Sequence, residues 1–140
     1  VELDLRGREP AVLPIEATGF PPYDELVLTV REDALDDDPG ALRSLVAALA
    51  EGTADVRRDP TPALRELLAD RPPAEAELQR AIVDATLPLF SPPEGQPYGW
   101  QEAPRWEALG RFLKEAGLID RPVPVGQAFT NELLAGEGLE

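Results

Sequence analysis

Cysteine and histidine are both absent from this sequence, and their absence excludes several kinds of chemistry. Without cysteine the chain forms no disulfide and offers no thiolate ligand; without histidine it has no imidazole base and no ordinary zinc site. The single lysine, Lys114, lies among polar residues of a predicted helix, whereas a Schiff-base lysine is usually desolvated. Glycine-rich phosphate-binding motifs are also missing. These absences predict a protein that is not an enzyme and that uses no metal and no cofactor.

Basic residues are scarce relative to acidic ones. The 140 residues include 13 Lys and Arg against 27 Asp and Glu, which gives a formal net charge of -14. Because Lys and Arg must neutralise phosphates when a protein binds nucleic acid, this balance predicts that nucleic acid is not a partner. The sequence contains no apolar run of the length that crosses a membrane. A hydrophobic content of 43% with 29% charged residues is typical of a globular chain of one-domain size.

Strand-like patterns are few and lie near the start of the chain. Val1–Leu5 alternates apolar and acidic residues, which predicts a half-exposed strand. Ala11–Ile15 is a second extended run, but Pro14 forbids a central position in a ladder, so an edge strand or a crossing segment fits better. Leu26–Val30 is the most strand-like run and predicts a strand buried on both faces. Since residues 1–24 offer only two weak neighbours, we expect most strands of its sheet to lie outside this chain.

Helical patterns dominate the rest of the chain. Asp38 and Pro39 predict a helix start, with the aspartate as N-cap and the proline at the first helical position. Capping explains the acidic cluster Asp36–Asp38, whereas a calcium loop would need acidic residues at alternate positions. Asp59 and Pro60 predict a second start of the same kind. Helical apolar stripes lie within Leu42–Val56, Leu64–Leu68, Leu78–Leu89 and Trp106–Ala116, and Phe129–Leu134 is a candidate short helix.

The order of these segments resembles the C-terminal part of periplasmic-type solute-binding proteins. The resemblance rests on Glu25–Leu28, on Asp37-Asp-Pro39 followed by an apolar helix that ends in Ala50-Glu-Gly52, and on the second helix start at Asp59-Pro60. Many families share this much. More discriminating segments resemble the NMT1/THI5-like family, whose members bind the pyrimidine precursor of thiamine. These segments are Pro22–Leu28, Tyr98–Gln101 with Trp106, Glu115–Ile119, and Ala128–Leu134 with its Phe-Thr-Asn-Glu element.

The resemblance implies a fold of the α/β class, similar to type II periplasmic binding proteins, in which two lobes close on a ligand. This chain would be a helix-rich C-terminal portion with a few short strands. Residues 1–15 would then end the second lobe, residues 16–24 would form an inter-lobe crossing segment, and residues 25–140 would form the helical C-terminal part of the first lobe. The missing N-terminal half of the same protein would supply the other strands and most ligand contacts.

Three residues at the implied cleft edge are the candidate ligand-binding residues. Tyr23 could stack its ring on a pyrimidine, or it could hold the hinge through packing and one hydrogen bond. Phe20 and Asp24 could line the mouth of the cleft or fix the hinge. Trp100 and Trp106 could form a stacking pair, although their place in the helical region favours packing in the core.

The resemblance implies the solute-binding component of an ABC importer, with an ABC transporter permease as partner and an extracytoplasmic location. Its ligand would be an aminopyrimidine precursor of thiamine, bound between the lobes without catalysis. One alternative is a binding protein of the same fold for another small solute, such as a sulfonate or nitrate. Another is an enzyme similar to the family's pyrimidine synthases, but these depend on histidine, lysine and cysteine motifs in parts that this chain lacks.

Overall fold

The structure is a computed structural model that describes residues 1–121 and 124–135, without the side chains of Glu16 and Ala74. Its α-helices, in chain order, are α1 (Glu2–Leu5), α2 (Glu32–Asp37), α3 (Pro39–Arg58), α4 (Thr61–Leu68), α5 (Pro73–Thr86) and α6 (Ala103–Glu115). Single 3-10 turns lie at Ile15–Thr18, Leu87–Phe90 and Val125–Gln127. The described residues are therefore helix-rich, as predicted, and contain no strand.

The long helix α3 begins where the capping pattern predicts. The side chain of Asp38 accepts a hydrogen bond of 2.9 Å from the N–H of Ala41, and Pro39 occupies the first helical position, where a missing N–H costs nothing. The helix ends at Arg58, and Arg57 and Arg58 in its last turn interact favourably with the negative end of the helix dipole. The prediction of an Asp-capped helix of about five turns is confirmed.

Helix α4 begins near the predicted Asp59-Pro60 start, but its N-cap is Pro60 and its first residue is Thr61, so the prediction of Asp59 as N-cap with Pro60 at the first helical position is wrong. At the start of α4, Asp59 Oδ1 accepts a hydrogen bond of 3.0 Å from the N–H of Thr61. Hydrogen bonds from the Thr61 side chain, and then from its backbone, lower the pKa of Asp59 below its usual value. Helix α5 ends at Thr86 and gives way to the 3-10 turn that contains Pro88. This proline ends the helix, as predicted, because a proline cannot donate the helical hydrogen bond.

Helix α6 ends in a Schellman motif at Gly117. Gly117 has φ +71°, its N–H donates to the carbonyl of Lys114 over 3.0 Å, and the N–H of Leu118 donates to the carbonyl of Leu113 over 2.9 Å. A residue with a Cβ adopts this left-handed conformation only at a cost. The predicted C-terminal cap is confirmed.

Burial is shallow across the described residues. Helix α3 contacts α2, α4 and the Leu87–Phe90 turn, and α5 contacts α4 and the same turn. Leu42 and Val46 on α3 are half-buried, and Leu134, at 6% exposure, is the only buried hydrophobic residue among those that the structure describes. Much apolar surface of the described residues is therefore open to solvent.

The three strand predictions are wrong for the chain by itself. Glu2–Leu5 is a short helix, and a local ion pair joins Arg6 to Glu2 over 2.6 Å. Ala11–Val30 contains only the Ile15–Thr18 turn, and Leu26 is 80% exposed. A strand needs a neighbour that pairs with its backbone, and the described residues supply none. Local hydrogen bonds or solvent therefore satisfy these backbone groups.

Candidate functional site

The predicted site begins with an aromatic cluster that joins the Phe20–Asp24 segment to α6. The ring centroid of Phe20 lies 4.6 Å from that of Phe112, with an interplanar angle of 56°. On its other flank, Phe20 lies 5.2 Å from Tyr23 at 60°. Tilted pairs at these distances are a favourable arrangement of aromatic rings. Phe20 is therefore half-buried and anchors the segment, while Tyr23 keeps 36% of its surface exposed.

An ion pair joins the same segment to the first turn of α6. Arg105 Nη1 lies 3.5 Å from Asp24 Oδ1, and Arg105 Nε donates to Glu102 Oε2 over 2.8 Å. The two contacts use different nitrogens of one guanidinium group, whose planar fork suits two carboxylate partners. Both side chains of the Asp24 pair are partly screened from water, at 29% and 42% exposure. Phe20, Tyr23 and Asp24 are thus brought together on one face of the C-terminal region.

The Phe129–Leu134 segment forms a turn, so the prediction of a short helix there is wrong. Thr130 Oγ1 accepts a hydrogen bond of 3.1 Å from the N–H of Glu132, and the N–H of Leu134 donates to the carbonyl of Asn131 over 3.0 Å. Short polar side chains that bond nearby backbone groups compete with helix formation in this way. The turn leaves the side chain of Asn131 available for a distant partner.

That partner is the backbone of Gln101, just before α6. Asn131 Oδ1 accepts a hydrogen bond of 3.0 Å from the Gln101 N–H, and Asn131 Nδ2 donates to the Gln101 carbonyl over 2.9 Å. One amide side chain thus satisfies both backbone groups of a residue that lies thirty positions away. The contact ties the C-terminal turn to the beginning of α6.

Trp106 and the glycine at Gly99 complete this junction. Trp106 Nε1 donates to Gln101 Oε1 over 2.9 Å, and its ring stacks on Phe129 with centroids 5.6 Å apart and an interplanar angle of 17°. Gly99 has φ +86°, and a Cβ added there would lie 3.3 Å from Leu134 Cδ2. Trp106 therefore packs and hydrogen-bonds within the C-terminal region, and Phe129 is its stacking partner in the structure.

A shallow groove of about 710 Å³ lies between α6 and the segment that contains Pro124 and Val125. Its lining residues are Trp106, Glu107, Gly110, Arg111, Lys114, Glu115, Pro124 and Val125. Lys114 is exposed there, whereas a Schiff-base lysine is usually desolvated. Among the described residues, no group of three or more acidic side chains is placed to hold a metal ion. No helix in the same residues is long and apolar enough to cross a membrane.

The sequence pointed to Phe20, Tyr23 and Asp24 but gave no indication of their partners on α6. Phe112 belongs to the apolar stripe of α6, and nothing local marks it as the ring that meets Phe20. Arg105 carries no sequence signal beyond its place next to Trp106. Asn131 lies in the Phe-Thr-Asn-Glu element that carries the family resemblance, but nothing in the sequence indicates its role or its partner.

Comparisons with known proteins agree with the sequence resemblance. Residues 1–63 match the family model described as NMT1/THI5 like. The riboflavin-binding protein RibY of Chloroflexus aurantiacus is 32% identical over 114 residues, which are 78% of this chain and 32% of that protein. The formylaminopyrimidine-binding protein of Halalkalibacterium halodurans is 28% identical over 117 residues, which are 81% of this chain and 35% of that protein. The chain spans about a third of the length of these curated relatives. No solved structure matches it.

Proposed function

Because residues 1–63 match the family model described as NMT1/THI5 like, we propose that the protein is a solute-binding protein that holds a pyrimidine-type ring without catalysis. The relatives support this proposal, since one is named for formylaminopyrimidine and the other for riboflavin. Both ligands contain a flat, nitrogen-rich six-membered ring with hydrogen-bonding edges. The thiamine precursor class of aminopyrimidines is the first ligand to test.

The single observation that carries the proposal is the placement of Tyr23. Tyr23 is 36% exposed, and its ring packs at a tilt against Phe20, which in turn packs on Phe112. A rigid aromatic face with one open side can stack on a heteroaromatic ring at little cost in conformational entropy. In this proposal Tyr23 contacts the ligand, while Phe20 and Asp24 hold the segment that carries it.

The proposal includes the rest of a two-lobed protein. Residues 16–24 would cross between the lobes, residues 1–15 would end the second lobe and residues 25–140 would belong to the first. The exposed apolar run Leu26–Val30 supports this arrangement, because an edge of backbone donors and acceptors with apolar side chains is suited to pairing with a strand. That strand would come from another part of the same protein.

In this proposal the protein lies outside the cytoplasm. Its partner there is an ABC transporter permease, to which it delivers its ligand. Riboflavin is the second candidate ligand, and the relative named for it, at 32% identity, is the specific observation that favours it. An enzymatic role has less support, because both relatives are named as binding proteins.

Thermal unfolding of the full-length protein tests the proposal. A ligand that binds only the native state raises its stability by about 2.7 kcal/mol at a concentration of a hundred times Kd, so the melting temperature should rise with formylaminopyrimidine. Replacing Tyr23 by Ala should weaken binding, since stacking of a base on an aromatic ring is worth about 1–3 kcal/mol. Tyr98→Ala is the matched control, because Tyr98 lies outside the Phe20–Asp24 segment. A shift for neither ligand at millimolar concentration would reject the pyrimidine assignment.

A further inference from the structure

Arg105 makes the one ion pair that joins distant parts of the described chain. Its partner Asp24 is 81 positions away, whereas the other ion pairs in these residues join groups at most four positions apart. Pairs between near neighbours stabilise a helix turn locally. The Arg105 pair instead fixes the position of one segment relative to another.

The guanidinium group of Arg105 is itself held in place. Glu102 Oε2 accepts from Arg105 Nε over 2.8 Å, which leaves Nη1 directed at Asp24 over 3.5 Å. Glu102 and Arg105 lie at the start of α6, directly after Gln101, whose backbone is held by both hydrogen bonds of the Asn131 amide. The start of α6 is thus secured to the C-terminal turn before it reaches the Phe20–Asp24 segment.

The ion pair acts next to the aromatic contact. Phe112, two turns further along α6, packs on Phe20, and Phe20 packs on Tyr23. The segment is therefore attached to one helix at two points, through Phe20 and through Asp24, and Tyr23 lies between them. Two attachment points restrict both the position and the rotation of the residues between them.

We propose that Arg105 is a positioning residue for ligand binding: with Phe112 it holds the Phe20–Asp24 segment on α6 and so sets the position of the Tyr23 ring. Asn131 supports this role by holding the start of α6. The inference rests on the proposed function of Tyr23 as the ring that receives the ligand. It assigns no ligand contact to Arg105.

The test uses the full-length protein labelled with 3-fluorotyrosine, in which the fluorine signal of Tyr23 is assigned by its loss in Tyr23→Phe. Arg105→Gln and Asp24→Asn should each move the Tyr23 signal in the absence of ligand, and the double variant should move it no further than either. Arg105→Lys keeps the charge but loses the fork, so it should restore the signal in part. Arg111→Gln removes the same charge from an exposed position on α6 and should leave the signal unchanged.

Titration with formylaminopyrimidine and riboflavin supplies the second readout. Loss of a half-exposed ion pair should weaken binding by up to about fivefold in Arg105→Gln, with no such loss in Arg111→Gln. An unmoved Tyr23 signal in Arg105→Gln, or an equal change in Arg111→Gln, would overturn the positioning role. If the wild-type protein binds neither ligand, the proposed function fails, while the fluorine signals still decide whether Arg105 positions Tyr23.

Discussion

Replacing Asn131 by Ala should detach the C-terminal turn from the start of α6. The substitution removes the acceptor for the Gln101 N–H at 3.0 Å and the donor to the Gln101 carbonyl at 2.9 Å. A neutral hydrogen bond contributes about 0.5–1.5 kcal/mol, so the two together contribute about 1–3 kcal/mol. Gln101 is half-buried, and water can replace part of this bonding. We therefore expect the free energy of global unfolding, or that of local opening around Gln101, to fall by about 1–2 kcal/mol.

Hydrogen exchange of the Gln101 amide measures this loss at the affected group. A change of about 1–2 kcal/mol corresponds to exchange that is faster by about 5- to 30-fold. Asn131→Asp is an informative second variant, because its carboxylate can accept from the N–H but cannot donate to the carbonyl. It should recover protection of the Gln101 amide only in part.

Glu132→Ala is the control, since Glu132 is exposed and uses its backbone N–H, not its side chain, in the turn. It should leave the Gln101 amide protected. Equal exchange in the wild type and in Asn131→Ala would refute the view that this side chain holds the start of α6.

Three further predictions concern the helix ends and the tight glycine. Asp38→Ala removes the N-cap of α3 and should lower the unfolding free energy by about 1 kcal/mol in urea titrations; an unchanged midpoint would contradict the capping role. Gly99→Ala should lower the unfolding free energy by about 1–2 kcal/mol, because Gly99 has φ +86° and an added Cβ would contact Leu134. Gly52→Ala, in the middle of α3, should instead raise it by about 0.5–1 kcal/mol. Similar effects of the two substitutions would disprove the strain at Gly99. Asp59 has a lowered pKa in the folded state, so its contribution is present above its usual pKa and is lost as the pH falls through the lowered value. Asp59→Asn should therefore reduce the loss of stability on acidification, and identical pH profiles would contradict this.

The helices could be predicted from the sequence because their signals are local. Asp38 and Pro39 cap α3 within a few residues of its start, and Gly117 closes α6 within one turn of its end. Each of these interactions depends only on residues that are close in sequence, so it forms independently of the rest of the fold. The strands needed partners at a distance, so the alternating pattern at Val1–Leu5 gave way to a short helix and Leu26–Val30 stayed unpaired.

Of the candidate site, only the Phe20–Asp24 segment could be predicted from the sequence, and its partners on α6 could not. Phe20, Tyr23 and Asp24 stood out through their proline-rich segment and the family resemblance, but their partners come from the far end of the chain. Nothing in the spacing of Arg105 or Phe112 indicates that they would meet residues more than eighty positions earlier. Contacts of this kind are set by the packing of α6, which depends on the whole chain.

Calorimetric titration of the full-length protein with formylaminopyrimidine, and with riboflavin in parallel, tests the central claim most directly. We expect saturable binding of a pyrimidine-type ligand at one site per protein, with clearly weaker binding in Tyr23→Ala and unchanged binding in Tyr98→Ala. Absence of binding heat and of any melting shift for both ligands, or full binding in Tyr23→Ala, would contradict it.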